Sequence, residues 1–261
     1  MSTRQLFNVL TLCSGTVSLV SAATLLSANP ALAIVNGSFE TGDFTEWSTI
    51  GNTSIETEAF GSGPTDGEFQ ALLSTGLFSP VPVSDIETFL GLTAGSLATI
   101  PNLPNVDTPT EGSAIQQTFT AHAGDILTFD WNFLTDEFTS LSEEIFNDVV
   151  LFIPEEFNDF SFVSISQMVD GLADTNSPLF IESLTDLFFE ETGFQSFSYT
   201  FETSGTFSLG FGVLDEDDFI VGSGLLIDNV ELTPVPEPAS ILGLLALSAL
   251  GTGAAFKKKT A

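Results

Sequence analysis

The chain has 261 residues, and its 35 Asp and Glu residues against four Lys and Arg give a formal net charge of −31. So few basic side chains exclude nucleic acid as a partner, because a phosphate backbone needs basic contacts. The 26 Phe residues nevertheless argue against disorder, since their rings can bury enough apolar area to fold the chain. All four basic residues lie near the two ends, so the segment 34–234 holds 34 acidic residues and no Lys or Arg. We interpret the ends as targeting segments and 34–234 as one working domain, the body.

The N-terminal 33 residues have the features of a secretory signal peptide. Arg4 supplies a weak positive charge, and residues 6–26 are largely apolar. Ala31 and Ala33 form the small-x-small pattern that a signal peptidase accepts, so we predict cleavage after Ala33. The alternative is an uncleaved transmembrane anchor. Cys13, the single cysteine, would leave with the signal, and the mature body would contain no disulfide and no reactive thiol.

Helix signals in the body are few. Ser84 and Glu87 have the spacing of a capping box, which predicts a short helix over 84–92. This helix lies in a proline-bearing segment, 78–109, that we expect to be a long excursion from the sheets. The segment 181–191 fits a second helix, although its adjacent Phe188 and Phe189 leave this open.

Most of the body alternates apolar and polar residues, as strands with one buried face do. The predicted strands cover 115–121, 126–134, 148–153, 160–166, 194–201, 207–213 and 225–232. A turn at 122–125 joins the first two, the next two form a pair, and 194–201 with 207–213 resembles a hairpin. Short strands with Gly-rich turns and few helices predict an all-β fold, an antiparallel β-sandwich of the jelly-roll type.

The opening and closing segments of the body carry a family resemblance. The opening reads Val-Asn-Gly-Ser-Phe-Glu over 35–40, a predicted first strand, and Trp47 follows; the closing strand contains Ile-Asp-Asn-Val over 227–230. These residues resemble the galactose-binding-like jelly rolls of carbohydrate-binding modules. The resemblance implies that Glu40 and Asp228 ligate one structural Ca²⁺ that joins the first strand to the last. The alternative is a pair of solvated carboxylates at strand ends.

The body offers few residue types for catalysis. Its only His is His122, and it contains no Cys or Lys, which argues against a Ser-His-Asp triad, a zinc site or a Schiff base. Carboxylates are plentiful, so a glycoside hydrolase that uses two of them stays open. The remaining acidic clusters lack EF-hand spacing, and we interpret most of them as solvated surface. Trp47, Trp131 and Tyr199 are the rings to test for sugar stacking, with a core position as the alternative for each.

The C-terminal segment 235–261 combines three features in order. These are the triplet Pro236, Glu237 and Pro238, an apolar segment over 239–256, and the basic tail Lys257, Lys258 and Lys259. A helix of that length spans about 27 Å, close to a bilayer core of about 30 Å, and the lysines would keep its end in the cytoplasm. The segment resembles the PEP-CTERM sorting signal of exported bacterial proteins. The resemblance implies cleavage near the triplet by an exosortase-type membrane transpeptidase; the alternative is a plain C-terminal anchor.

Together these features predict an exported, non-catalytic protein of the cell surface or extracellular matrix. The body would serve adhesion or the binding of extracellular polysaccharide, after transient anchoring in the membrane through the C-terminal helix. Ca²⁺ is the cofactor that an anionic body outside the cell favours. Two alternatives remain: a carboxylate-based glycoside hydrolase that acts on the same matrix, and a surface-coat protein that binds no glycan.

Overall fold

The body is an antiparallel β-sandwich. The computed structural model describes residues 33–76, 81–103, 106, 108–137, 159–216 and 221–235. Within these residues the first sheet contains β1 (Ser48–Ile50), β4 (Val81–Pro82), β5 (Pro109–Ala121), β7 (Phe160–Ile165), β8 (Met168–Asp174) and β12 (Gly205–Glu216). The second contains β2 (Asn52–Glu56), β3 (Gln70–Ser74), β6 (Ile126–Thr135), β9 (Ile181–Glu182), β10 (Glu190–Glu191), β11 (Gln195–Thr200) and β13 (Ser223–Thr233).

Strand order confirms the predicted all-β sandwich. The first sheet runs β1-β5-β12-β7-β8, with β4 also paired to β5. The second runs β2-β3-β13-β6-β10-β9, with β11 also paired to β6. Every pairing is antiparallel, and the closing strand β13 lies at the centre of the second sheet between β3 and β6.

Phe side chains fill the space between the sheets. Alternate residues of β6, including Phe129 and Phe133, face alternate residues of β12, including Phe211, and all three rings are buried. The Phe129 and Phe211 rings meet edge to face across the sandwich, with centroids 4.7 Å apart. Each fully buried ring of this size contributes roughly 1.5–3 kcal/mol, so the abundance of Phe explains how such an anionic chain folds.

The excursion packs against the outer face of the first sheet. Its helix α1 (Val83–Leu90) places Ile86 and Leu90 in a second buried cluster with Phe160 and Phe162. The predicted helix is therefore confirmed, but the capping box is not formed, because the N-cap is Pro82 and makes no side-chain hydrogen bond. Glu87 instead accepts hydrogen bonds from the backbone N–H groups of residues 95 and 97, at 2.9 and 3.0 Å.

The sandwich has two distinct ends. At the exit pole Thr233 of β13 pairs with Ile126 at the start of β6, and the described chain ends two residues later at Val235. At the far pole Thr135, the last residue of β6, pairs with Glu190 of β10. The nine-residue rise along β6 separates the poles by about 30 Å.

The opening segment 35–40 is not a strand, and the prediction of a first strand there is wrong. The segment forms turns in which Asn36 and Phe39 have positive φ values of 53° and 56°. It nevertheless lies beside the closing strand, as predicted, because Val230 N–H donates to the Gly37 carbonyl at 3.1 Å. Gly37 is needed at this contact, since a Cβ atom there would overlap the Val230 carbonyl.

Two further predictions are wrong in their pairing or type. The strands of the predicted hairpin exist, but β11 pairs with β6 in the second sheet and β12 pairs with β5 in the first. The link between β11 and β12 therefore crosses from the second sheet to the first. Its buried residue Phe201 packs against Phe119 of the first sheet. The segment 181–191 is not a helix: its two ends are the paired strands β9 and β10, and residues 183–189 form an irregular loop between them.

Several predictions lie outside the described residues. These are the signal segment with Ala31, the strand at 148–153, and the C-terminal segment with its triplet, apolar run and lysines. Ala33 is described and exposed. Among the residues that the structure describes, no helix has the length and apolar character needed to cross a membrane.

Candidate functional site

The two carboxylates predicted to bind calcium hold the same loop, residues 65–69. Asp228 is fully buried, and its Oδ2 accepts hydrogen bonds from Thr65 N–H at 2.7 Å and Asp66 N–H at 2.8 Å. Its Oδ1 accepts one from Asn229 N–H at 2.7 Å. Burial raises the pKa of Asp228 above its ordinary value, although these hydrogen bonds oppose the rise.

The exposed Glu40 side chain holds the C-terminal end of the same loop by hydrogen bonds. Its Oε1 accepts hydrogen bonds from Glu68 N–H at 2.8 Å and Phe69 N–H at 3.0 Å. The carboxylate lies directly against the backbone of Gly67, where a Cβ atom would overlap it. The structure thus brings the predicted pair to one loop, but it joins them through backbone N–H groups.

The chemistry of these groups suits a hard cation, while the carboxylates alone are too few to form a complete shell. Ca²⁺ takes roughly six to eight oxygen ligands, which include backbone carbonyls as well as carboxylates. Across the described ranges, no group of three or more His, Cys, Asp and Glu side chains is arranged to hold a metal. A calcium ion between Glu40 and Asp228 would therefore need carbonyl oxygens of the loop or water for its remaining ligands.

An open groove of about 480 Å³ lies along the outer side of this loop. It is lined by Thr57, Glu58, Gly61, Gly63, Pro64, Gly67 and Glu68. The groove therefore has glycine and proline walls and offers a hydroxyl and two carboxylates. Its end adjoins the loop between β9 and β10, because Gly61 lies against the Leu184 carbonyl.

The structure places the rings proposed for sugar stacking in or against the core. Trp47 is only 6% exposed, its ring packs on Phe39 and Phe211, and its Nε1–H donates to the Asn36 carbonyl at 3.0 Å. Trp131 is also 6% exposed and belongs to the same cluster. Neither Trp ring presents a free face to a sugar, so both occupy the core position that was the alternative to sugar stacking. Tyr199 is half-buried, with its ring 5.0 Å from that of Phe201.

His122 lies in the turn at the exit pole, as predicted. Its Nδ1 is 3.6 Å from Oδ2 of Asp125. The Asp125 carboxylate also accepts hydrogen bonds from His122 N–H at 2.7 Å and Val235 N–H at 3.0 Å. Asp125 thus closes the turn and ties it to the last described residue, which is a structural role.

Sequence reasoning did not find the groove. The run Gly-Ser-Gly-Pro-Thr-Asp-Gly over 61–67 signals a loop, but its composition does not show that Glu58 and Glu68 flank an opening. The position of the groove follows from a tertiary contact, because the run precedes β3, which pairs with the strand that carries Asp228. The exposed apolar residues between β9 and β10 are not evident from the sequence, because the segment 181–191 also fits a helix and its pattern leaves the two possibilities open.

Comparison with protein families identifies one motif in the chain. The family model described as the PEP-CTERM protein-sorting motif matches residues 234–259. The chain therefore carries that sorting motif, which marks an exported protein associated with the cell envelope. No curated protein matches the chain.

The solved structures to which the chain is similar include the following three. TmCBM61 in complex with β-1,4-galactotriose is 12% identical, with a TM-score of 0.39 over 77% of this chain and 97% of that one. The K1 cleaved adhesin domain of Lys-gingipain from Porphyromonas gingivalis is 14% identical, with a TM-score of 0.38 over 80% and 100%. CBM27-1 of Caldicellulosiruptor saccharolyticus in complex with mannohexaose is 11% identical, with a TM-score of 0.37 over 78% and 98%. The fold assignment rests on the strand pairings themselves.

Proposed function

We propose that the chain is a matrix protein whose body binds neutral extracellular polysaccharide without cleaving it. Its C-terminal segment would be processed by an exosortase-type transpeptidase after transient anchoring in the membrane. The observation that carries the binding function is the groove along residues 57–68. Its volume of about 480 Å³ falls within the range of about 300–1,000 Å³ that ligand pockets occupy.

The lining of the groove suits a polymer rich in hydroxyl groups. Glu58 and Glu68 accept hydrogen bonds from sugar hydroxyls, and the three glycines leave backbone N–H and C=O groups within reach of a ligand. A phosphorylated, sulfated or uronic-acid polymer would meet these carboxylates with no Lys or Arg in residues 34–234 to compensate. The expected ligand is therefore a neutral glycan.

A glycoside hydrolase is the second candidate, and one observation favours it. Glu58 and Glu68 line the same groove, and glycoside hydrolysis uses a pair of carboxylates that flank the scissile bond. The two functions separate in one experiment on the exported protein. We would measure its binding to neutral galactan, mannan and β-glucan, and assay the same mixtures for new reducing ends.

Binding without new reducing ends supports the proposal. Release of reducing sugar that disappears in both Glu58→Gln and Glu68→Gln would replace it with the hydrolase. No binding and no release with any of the polymers would favour an inert surface coat.

We further propose that Ca²⁺ reinforces the loop at residues 65–69 through Glu40 and Asp228. Both carboxylates already hold that loop, and a cation would offset two negative charges that no basic side chain neutralises. The test is thermal unfolding with Ca²⁺ and with a chelator. Ca²⁺ should raise the midpoint of the unmodified protein and of Glu231→Gln, an exposed control, but not that of Glu40→Gln. Equal unfolding midpoints with Ca²⁺ and with chelator would refute the proposal that Ca²⁺ binds here.

The processing step has its own test. Mass spectrometry of the protein recovered from the cell surface should show that the lysines of the tail are gone and that the new end lies near Pro236, Glu237 and Pro238. Recovery of the protein with an intact tail would instead support a plain anchor.

A further inference from the structure

Exposed apolar side chains are concentrated in one short segment of the body. Seven large hydrophobic residues are exposed among those that the structure describes, and five of them lie between residues 179 and 189. These five, which we call the apolar rim, are Leu179, Ile181, Leu184, Leu187 and Phe189. Phe189 is 75% exposed and Leu184 is 71% exposed, so neither is part of any core. Such a concentration indicates a binding surface.

The loop 183–189, which carries three of the five rim residues, is held in a defined shape by hydrogen bonds of its backbone. Phe188 N–H donates to Thr185 Oγ1 at 3.1 Å, and Phe189 N–H donates to Asp136 Oδ1 at 2.8 Å. Ser183 N–H donates to the Phe189 carbonyl at 2.9 Å, which closes the loop. The Phe188 ring points inward onto a small cluster on the outer face of the second sheet. The loop is thus anchored from within while its neighbouring apolar side chains are turned outward.

The position of the rim favours a partner in the matrix. It flanks β10 at the far pole, about 30 Å along β6 from the exit pole. The chain continues into its sorting motif from Val235 at the exit pole. A body attached through that motif would therefore present the rim away from the membrane.

The negative charge around the rim favours a neutral partner over an anionic one. Glu182 and Asp186 are exposed between the apolar residues, and the body has no Lys or Arg. An anionic polymer, an anionic lipid surface or a second copy of this chain would be repelled. A neutral polysaccharide would not, since its C–H faces pack on apolar and aromatic side chains while its hydroxyls donate to carboxylates.

We infer that the apolar rim is a binding platform for neutral polysaccharide, with Phe189 as the stacking ring, and that it continues the groove past Gly61. This inference rests on the proposed function and locates the affinity in a surface that the groove alone does not include. Leu184 connects the two surfaces, because its carbonyl lies against Gly61.

The test measures binding of the exported protein to soluble neutral galactan, mannan and β-glucan, with alginate as an anionic comparison. Phe189→Ala and Leu184→Ala should each weaken binding to the neutral polymer about tenfold, because each removes apolar area that the sugar would cover. Phe189→Tyr should bind as the unmodified protein does, since it keeps the ring. Val35→Ala is the matched control, because Val35 is also exposed, at 46%, and lies outside the rim. Equal unfolding midpoints confirm that the variants are folded.

Each other outcome overturns a separate statement. If the unmodified protein binds a neutral polymer and both rim variants bind it equally well, the platform is wrong while the proposed function stands. If the unmodified protein binds none of the neutral polymers, both are wrong. Equal binding to alginate contradicts the neutral class of ligand. Self-association in sedimentation experiments that Phe189→Ala abolishes, without an effect on glycan binding, would assign the rim to a second copy instead.

Discussion

The hydrogen bonds between Glu40 and the loop 65–69 predict that two glycine substitutions lower the stability of the body by different amounts. Gly67 and Gly91 have similar positive φ values of 75° and 70°, so an alanine costs about 1 kcal/mol of backbone strain at either position. At Gly91 no atom lies within 4 Å of the added Cβ, whereas at Gly67 the Cβ displaces the Glu40 carboxylate. Glu40 then loses two hydrogen bonds, each worth about 1 kcal/mol at an exposed site.

Gly67→Ala should therefore lower the free energy of unfolding by about 3 kcal/mol and Gly91→Ala by about 1 kcal/mol. For a domain of this size the difference corresponds to a midpoint about 4–8 °C lower for Gly67→Ala, measured by circular dichroism during heating. Because both variants share the strain, the difference isolates the contact with Glu40. Equal midpoints for Gly67→Ala and Gly91→Ala would show that the Glu40 carboxylate does not stabilise the loop. The proposed calcium site at Glu40 would then lose its structural basis.

Three other predictions concern charge and capping. Glu87→Ala should lower the free energy of unfolding by about 3 kcal/mol, since it leaves two backbone N–H groups without their charged acceptor, whereas Ser84→Ala should change it by less than about 0.5 kcal/mol. Burial raises the pKa of Asp174 and Asp228, so the folded body holds their protons more tightly than the unfolded chain does, and the unfolding midpoint should rise as the pH is lowered from 7 towards 4. Adding salt should also raise the midpoint, because it screens repulsion in a body that has no Lys or Arg salt bridge to lose; a fall in the midpoint on acidification or with salt would contradict the respective prediction.

The strands that sequence reasoning identified best are those with one face in the core. Over 126–133 the sequence alternates because Leu127, Phe129, Trp131 and Phe133 belong to the core between the sheets, so burial determines the pattern directly. In the closing strand the alternation is limited to 228–233, because residues 223–228 are all buried. Alternation does not report which sheet a strand joins, and for that reason the sequence over 194–213 resembles a single hairpin. The burial of Phe201 between the sheets, which is a tertiary contact, decides the crossing.

The errors in the loops have a common cause in local polar contacts. In 181–191 the Ser183 and Thr185 hydroxyls accept hydrogen bonds from nearby backbone N–H groups, which compete with the hydrogen bonds of a helix. In 35–40 Asn36 adopts positive φ, and its side chain accepts from Thr41 N–H at 3.2 Å. The sequence shows that these residues favour turns, but only the fold shows that Glu40 reaches Gly67 and that Leu184 borders a groove.

The acidic side chains of the body stabilise it in a way that replaces salt bridges. Among the residues that the structure describes, the carboxylates that accept hydrogen bonds from backbone N–H groups in loops or at loop ends include Glu40, Glu87, Asp125, Asp136, Glu216 and Asp228. Such bonds benefit from the charge of the acceptor and require no Lys or Arg, and several connect segments that are far apart in the chain. A loop held in this way keeps its backbone carbonyls and neighbouring side chains free to face outward. The same carboxylates that make the body polyanionic therefore also fix the two loops, 57–69 and 179–189, in which the groove and the apolar rim lie.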